Sequence, residues 1–255
     1  MKYDSSNLWL QFDKNSCSVS NTSEDDYRIE QDGTIVLFQP GNNGADEVEI
    51  AVGEFAYTII NSVAAIHDGV SLHDVFDQDS QGALEIFNAL YNPSTLEYKD
   101  DVMKAAKLWT SDYHSPNLIF IDRLLIHPEF VGHKFGLRAL RKLLQQHQHS
   151  SMVVIGLNPL QYFDVETDAQ AHTHAKLLGV ADAEMSEQAA IAKLEGHFAR
   201  LRFNRVPGTH YMIRDACHHL PSVKTMLGPQ QPAVSPVKPQ RPGRVYRGLI
   251  DRMQK

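Results

Sequence analysis

The stretch from Asn117 to Leu144 constrains the fold of this chain more than any other. Leu118-Ile119-Phe120-Ile121 opens an apolar run that continues through Leu125-Ile126. It reads as a strand, and His127-Pro128 ends it, because proline has no N–H to give to a ladder. Glycines follow at 132 and 136. Beyond Gly136, Leu137, Leu140 and Leu144 recur at helical spacing with Leu143 beside them, while Arg138, Arg141 and Lys142 take the other positions. The order is strand, proline, glycine-containing loop, helix.

That order favours an anion at the loop. The first N–H groups of a helix have no partner within it, and the aligned peptide dipoles add partial positive charge there. Glycine lets the backbone approach a phosphate closely. Val131-Gly132-His133-Lys134-Phe135-Gly136 therefore suits a pyrophosphate, with Lys134 and His133 adding charge or hydrogen bonds.

The flanking sequence supplies the rest of an α/β domain. Ile35-Val36-Leu37-Phe38 reads as a strand stopped by Gln39-Pro40-Gly41. Glu47 to Ala65 is β-rich, with a phase break near Gly53, so it is two strands or one bulged strand. Residues 71 to 110 look mainly helical, broken at Asn92-Pro93, with a second helix from about Tyr98 to Trp109. Met152 to Leu157 is a buried-type strand. Residues 158 to 186 form a long connection in which an Ala-rich helix fits. The next helix starts at Ser186-Glu187-Gln188 and carries Ala190, Ile191, Leu194, Phe198 and Leu201. Phe203 to Val206 and His210 to Ile213 are short strands joined by Pro207-Gly208-Thr209. The expected organisation is a loosely ordered arm (1–33), an α/β domain (34–227) and a Pro-rich basic tail (228–255).

Composition narrows the partners. A net charge of -7 argues against a chain-wide basic surface for nucleic acid. The N-terminus lacks a basic start and a long apolar run, so it does not read as a signal peptide. No stretch approaches the ~18 apolar residues of a spanning helix, so no membrane partner is expected. Cys17 and Cys217 lie far apart in no metal-type spacing. A cytoplasmic protein is the expectation.

The run Ile121-Asp122-Arg123-Leu124-Leu125-Ile126-His127-Pro128-Glu129-Phe130-Val131-Gly132-His133-Lys134-Phe135-Gly136-Leu137-Arg138-Ala139-Leu140 resembles motif A of the GNAT superfamily of N-acetyltransferases. Phe198-Ala199-Arg200-Leu201-Arg202-Phe203-Asn204-Arg205-Val206-Pro207-Gly208-Thr209 resembles its motif B. The resemblance covers roughly residues 35 to 215 and is specific at these two places. It implies a GNAT-like α/β fold, a mixed, splayed central β-sheet flanked by helices. It implies acetyl-CoA as co-substrate, its pyrophosphate held by amides of Val131, Gly132, His133, Lys134, Phe135, Gly136 and Leu137. The pantetheine arm would pair with Leu125 and Ile126 in a splay between Ile119–Ile126 and Met152–Leu157. Asn158 would contact that arm or the next helix.

The chain departs from the family pattern at four places. Val131 replaces the Arg or Gln that opens the loop. Lys134 replaces a motif glycine, Phe198 falls where a tyrosine often protonates the leaving thiolate, and Arg202 replaces the glycine of Leu-Gly-Phe. The implied reaction is attack by an amine on a thioester, which needs a base or water path and an oxyanion donor. Asp122, His127 and Glu54 are the candidate bases, each with a structural alternative: an ion pair, a turn contact, a solvated hairpin carboxylate. His197 adjoins the missing tyrosine. The pairs His147/His149, His172/His174 and His218/His219 lack third and fourth zinc ligands at recognisable spacing. Two functional readings follow. One is an acetyltransferase acting on an amine-bearing small molecule or protein. The other is a catalytically impaired GNAT-fold protein serving as a CoA-binding regulatory or protein-interaction module.

Overall fold

In β3 (Val48–Ile60), Phe55 and Tyr57 face one way and Thr58 and Ile60 the other. That period of two recurs along the central strands and builds one sheet with a core on each face. The structure, a computed structural model, describes residues 7–12, 27–39, 48–77, 81–108, 117–148, 151–159 and 186–228. Its other strands are β1 (Leu8–Phe12), β2 (Arg28–Gln39), β4 (Asn117–Ile126), β5 (Ser151–Gly156), β6 (Asn204–Arg205) and β7 (Tyr211–Asp215). They form a seven-stranded sheet in the order β1-β2-β3-β4-β5-β7-β6. Every neighbouring pair is antiparallel except β4 with β5.

A parallel pair needs a crossover, and α5 (Phe135–Gln146) supplies it between β4 and β5. On its face of the sheet, Leu137, Leu140 and Leu144 of α5 and Phe198 of α6 (Glu187–Ala199) pack on Ile119, Ile121, Val153 and Ile155. The opposite face is covered by α1 (Ser62–His67), α2 (Leu72–Asp77), α3 (Gln81–Leu90) and α4 (Asp100–Ala106). There Phe76, Phe87, Tyr91 and Val102 pack on Leu118, Met152, Val154 and Ile213. Successive residues of β4 and β5 thus go to opposite cores, which is why both strands read as continuous apolar runs. A last short helix, α7 (Val223–Leu227), closes the described chain.

The mixed α/β sheet flanked by helices agrees with the sequence expectation. Three local readings are refined. The segment expected as a loose arm contributes β1 and the first half of β2. Leu8, Leu10 and Phe12 alternate inward on the α5 face, and Arg28 to Gly33, mostly polar apart from Ile29, are held by pairing with Ile60 to Phe55. Polar composition concealed a strand whose cohesion is mainly main-chain. Glu47–Ala65 resolves into one bulged strand followed by α1: Ile35 pairs with Gly53 and Val36 with Ala51, so Val52 is the extra residue. The helical region from 71 holds α2, α3 and α4, with Asn92-Pro93 in the turn between the last two. The expected Ala-rich helix of the 158–186 connection, the tail beyond Gly228, and Cys17, His149, His172 and His174 lie outside the described residues. Among the described residues, no helix is long and apolar enough to cross a membrane.

Candidate functional site

The parallel ladder of β4 and β5 runs from Asn117↔Ser151 to Ile121↔Ile155 and stops there. β4 continues to Ile126, held only by β3 among the described residues. β5 turns toward β7, with Gly156 opposite Tyr211 and the Leu157 N–H donating to the His210 carbonyl at 2.7 Å. The two strands therefore part between Asp122–Ile126 on one side and Gly156–Asn158 on the other. A bulge sits at the parting. Ala56 pairs with Arg123 and Tyr57 with Ile121, leaving Asp122 as the extra residue of β4. Bulges bend a strand and sharpen its twist, and often stand beside functional sites.

The glycine loop follows directly. The His127 N–H donates to Val52 at 2.9 Å, and a 3₁₀ turn (Pro128–Phe130) leads to the exposed tip Val131-Gly132-His133-Lys134. Two aromatic side chains peg the tip to the core: Phe130 on one side and Phe135 on the other. The His133 ring stacks on Phe135 at 5.6 Å. Gly132 has φ +90° and Lys134 φ +62°. The Arg138 N–H bonds the carbonyl of Lys134, the residue capping α5, at 3.3 Å. The amides of Gly136 and Leu137 lie one turn earlier, where an anion is the favoured partner.

The left-handed backbone at Lys134 is informative, because it is the conformation for which glycine is suited. Arg202 likewise has φ +67°. Both residues thus carry long side chains on left-handed backbone. The two replacements share a task. Lys134 Nζ donates to the Leu227 carbonyl at 2.6 Å and Arg202 Nη1 to the His219 carbonyl at 3.2 Å. Arg141 bonds the Pro221 carbonyl at 3.1 Å, and Arg200 bonds those of Met226 and Gly228 at 3.1 and 2.9 Å. Four cations therefore strap residues 219–228 across α5 and α6. The Lys134 side chain is turned to this strap.

On the α2–α3 face of the sheet, a cavity of about 90 Å³ opens beside the bulge, lined by Arg28, Thr58, Asp122, Phe76, Ile86 and Phe120 among others. Thr58 Oγ1 donates to Asp122 Oδ2 at 2.9 Å. Asp122 is exposed to solvent on one flank, while Thr58, Glu30, Arg28 and Arg123 stand near its carboxyl. Burial pushes that carboxyl up to about 6, Glu30 pushes the same way, and Thr58, Arg28 and Arg123 pull against them. Such a group changes charge near neutral pH, as a general base must. Sequence reasoning found Asp122 but missed Thr58 and Arg28. Their signal was the register: Thr58 faces Phe120 across β3–β4, and Arg28 faces Ile60 across β2–β3.

Beyond α3 lies a wider groove of about 550 Å³, lined by Glu85, Asn88, Asp101, Thr209, His210 and Tyr211 among others. Phe120 and Tyr211 touch edge to face at 6.5 Å between the two openings. Burial, and then Glu85, push the Tyr211 hydroxyl up to about 12, so it keeps its proton at neutral pH.

The other predicted residues are placed as follows. Glu54 stands opposite Leu125, on the same side of β3 as Thr58 but about 13 Å further along the strand, and outside both cavities. His127 lies at the far end of β4, about 16 Å from Asp122. The three candidate bases do not converge. Leu125 and Ile126 form the end of β4 beyond its ladder with β5, and Asn158, two residues after β5, is exposed. Phe198 is buried in the core against Phe203, 6.3 Å away. His197 is pushed down to about 4 by burial, then by Arg200 and Lys193, so it is neutral. His147 contacts the Tyr57 hydroxyl at 3.2 Å.

No protein-family model matches the chain, and comparisons with curated proteins and with solved structures give no match.

Proposed function

We propose that this protein is an N-acetyltransferase that moves an acetyl group from acetyl-CoA to an amine by direct attack. One observation carries the reading: the bulged, titratable Asp122 stands where β4 and β5 part, with the glycine loop on one side of the sheet and a cavity on the other. In this reading the amides of the 131–137 loop hold the pyrophosphate, and the open edge of Leu125 and Ile126 pairs with the pantetheine arm. The thioester then lies in the splay. An amine in the cavity gives its proton to Asp122, directly or through water, and its lone pair attacks the thioester carbonyl. The C–S bond breaks as the C–N bond forms. The leaving thiolate takes up that proton from Asp122 through water, since Phe198 has none to give.

The experiment is acetyl transfer followed by mass spectrometry, using purified protein, acetyl-CoA and a panel of amines. Acetylated product and free CoA in equal amounts support the reading. Acetyl-CoA binding with no product from any amine favours a second reading, a CoA-binding regulatory module. The core-buried Phe198 at the position of the expected hydroxyl is the observation on its side.

A further inference from the structure

Arg28 is the least satisfied charged group among the described residues. Its side chain is only 12% exposed, and Nη2 donates to Glu30 at 2.6 Å. Its Nε and Nη1 are both buried and have no hydrogen-bond partner. Arg123, Arg138 and Arg214 each leave Nε alone in that state. A guanidinium cannot shed its charge to escape the penalty, and a buried donor without a partner costs free energy that a ligand's acceptor would recover. Arg28 lines the same cavity as Asp122 and Thr58. The cavity is therefore lined both by a guanidinium with unpartnered donors and by a carboxylate whose hydrogen-bond donor from the protein is Thr58.

Size and walls narrow the ligand further. About 90 Å³ is roughly three water volumes. That is room for a carboxylate, an amine and the one or two carbons that join them. Ile60, Phe76, Ala83, Ile86, Leu118 and Phe120 make the remaining walls apolar. A simple amine would leave Arg28 unsatisfied and bring a second cation to it. A simple acid would place like charge beside Asp122 and Glu30.

We infer that the acceptor is a small free amino acid with an apolar side chain, its carboxylate on the Arg28 guanidinium and its amine beside Asp122. The fate of that amine rests on the acetyltransferase reading; its binding does not.

The test is calorimetric titration of the full chain, without acetyl-CoA, with L-alanine, L-alaninamide and propionate. Alanine binds, and each analogue, lacking one charged group, binds at least about tenfold more weakly. In Arg28→Gln, with folding verified by thermal melting, the preference for alanine over alaninamide disappears. Equal binding of alanine and alaninamide by the wild type overturns the inference, as does an unchanged preference in Arg28→Gln. Should Arg28→Gln not fold, the wild-type comparison decides alone. Alanine binding with no acetyl transfer refutes the acetyltransferase reading and leaves this one standing. Acetylation of amines without regard to a carboxylate does the reverse.

Discussion

Asp122→Asn separates what the carboxylate does for activity from what it does to stability. The variant keeps the shape and an oxygen to accept from Thr58 Oγ1, now 2.9 Å from Oδ2, so the bulge should persist. It cannot take a proton from an amine. Loss of a positioned base lowers kcat by about 10² to 10⁴. The wild-type rate should itself report the base, because the carboxyl is held at about 6. Only about one-eleventh is ionised at pH 5 and about ten-elevenths at pH 7, so kcat/KM rises roughly tenfold between them and levels above. Stability moves the other way. The carboxyl titrates near 3.8 in the unfolded chain and about 6 in the folded one. Below both values each state holds the proton. Between them the unfolded chain releases it first, so wild-type stability falls as pH rises through this window and levels beyond about 6. For a sealed carboxylate the full difference would be about 3 kcal/mol. Water on its open flank screens this to about 1 kcal/mol. Asparagine has no such proton, so the variant should match wild type at pH 3.5 and melt about 2–4 °C higher at pH 7. Thermal melts at several pH values and an acetylation assay measure both effects. A variant that loses no activity, or a stability difference that does not grow between pH 4 and 6, would refute the reasoning.

Other perturbations test the frame around the site. Lys134→Gly removes a left-handed non-glycine residue, worth about 1 kcal/mol, and one exposed hydrogen bond to Leu227. Its melting temperature should stay near wild type, whereas Lys134→Val, β-branched at positive φ, should lose about 2 kcal/mol. Gly53→Ala would put a Cβ 2.1 Å from the Leu125 carbonyl oxygen. The open end of β4 must then shift, which should cost about 1–3 kcal/mol and weaken acetyl-CoA binding by calorimetry. Arg214 is 2% exposed and donates to the Leu201 carbonyl at 2.5 Å and to the His218 carbonyl. Arg214→Leu leaves those carbonyls unpaired, and denaturant melts should show a loss of about 3 kcal/mol. His197 is held neutral down to about 4, so its ring protons should not shift in NMR spectra between pH 8 and 5.5. Its unfolded value of 6.5 means that stability is lost as pH falls from about 6.5 toward 4.

The loop and the central strands were legible because their physics is local. Proline at 128, glycines at 132 and 136, and leucines at helical spacing leave few alternatives to strand, loop and helix. Asp122 was legible as a charge inside an apolar run. Its bulge was not, because a bulge depends on how Ala56 and Tyr57 pair with Arg123 and Ile121 across the ladder. Arg28 was hidden for a similar reason: it sits in a polar stretch, and only pairing with Ile60 brings it over the cavity. The departures at Lys134 and Arg202 looked like losses of glycine. Their positive φ values and their bonds to Leu227 and His219 show instead side chains on left-handed backbone that hold the 219–228 strap. Contacts 17 and 93 residues apart leave no pattern in a single sequence.

Calorimetric titration of acetyl-CoA into wild-type protein and Gly136→Trp tests the central proposal most directly. A Cβ at Gly136 would meet Ile126 Cγ1 at 3.4 Å, ordinary contact, so a larger ring projects over the strand end proposed to pair with the pantetheine arm. The account predicts one-to-one binding by the wild type and at least a tenfold weaker affinity in the variant, with both proteins melting cooperatively. No binding by the folded wild type, or equal binding by the two, would contradict it.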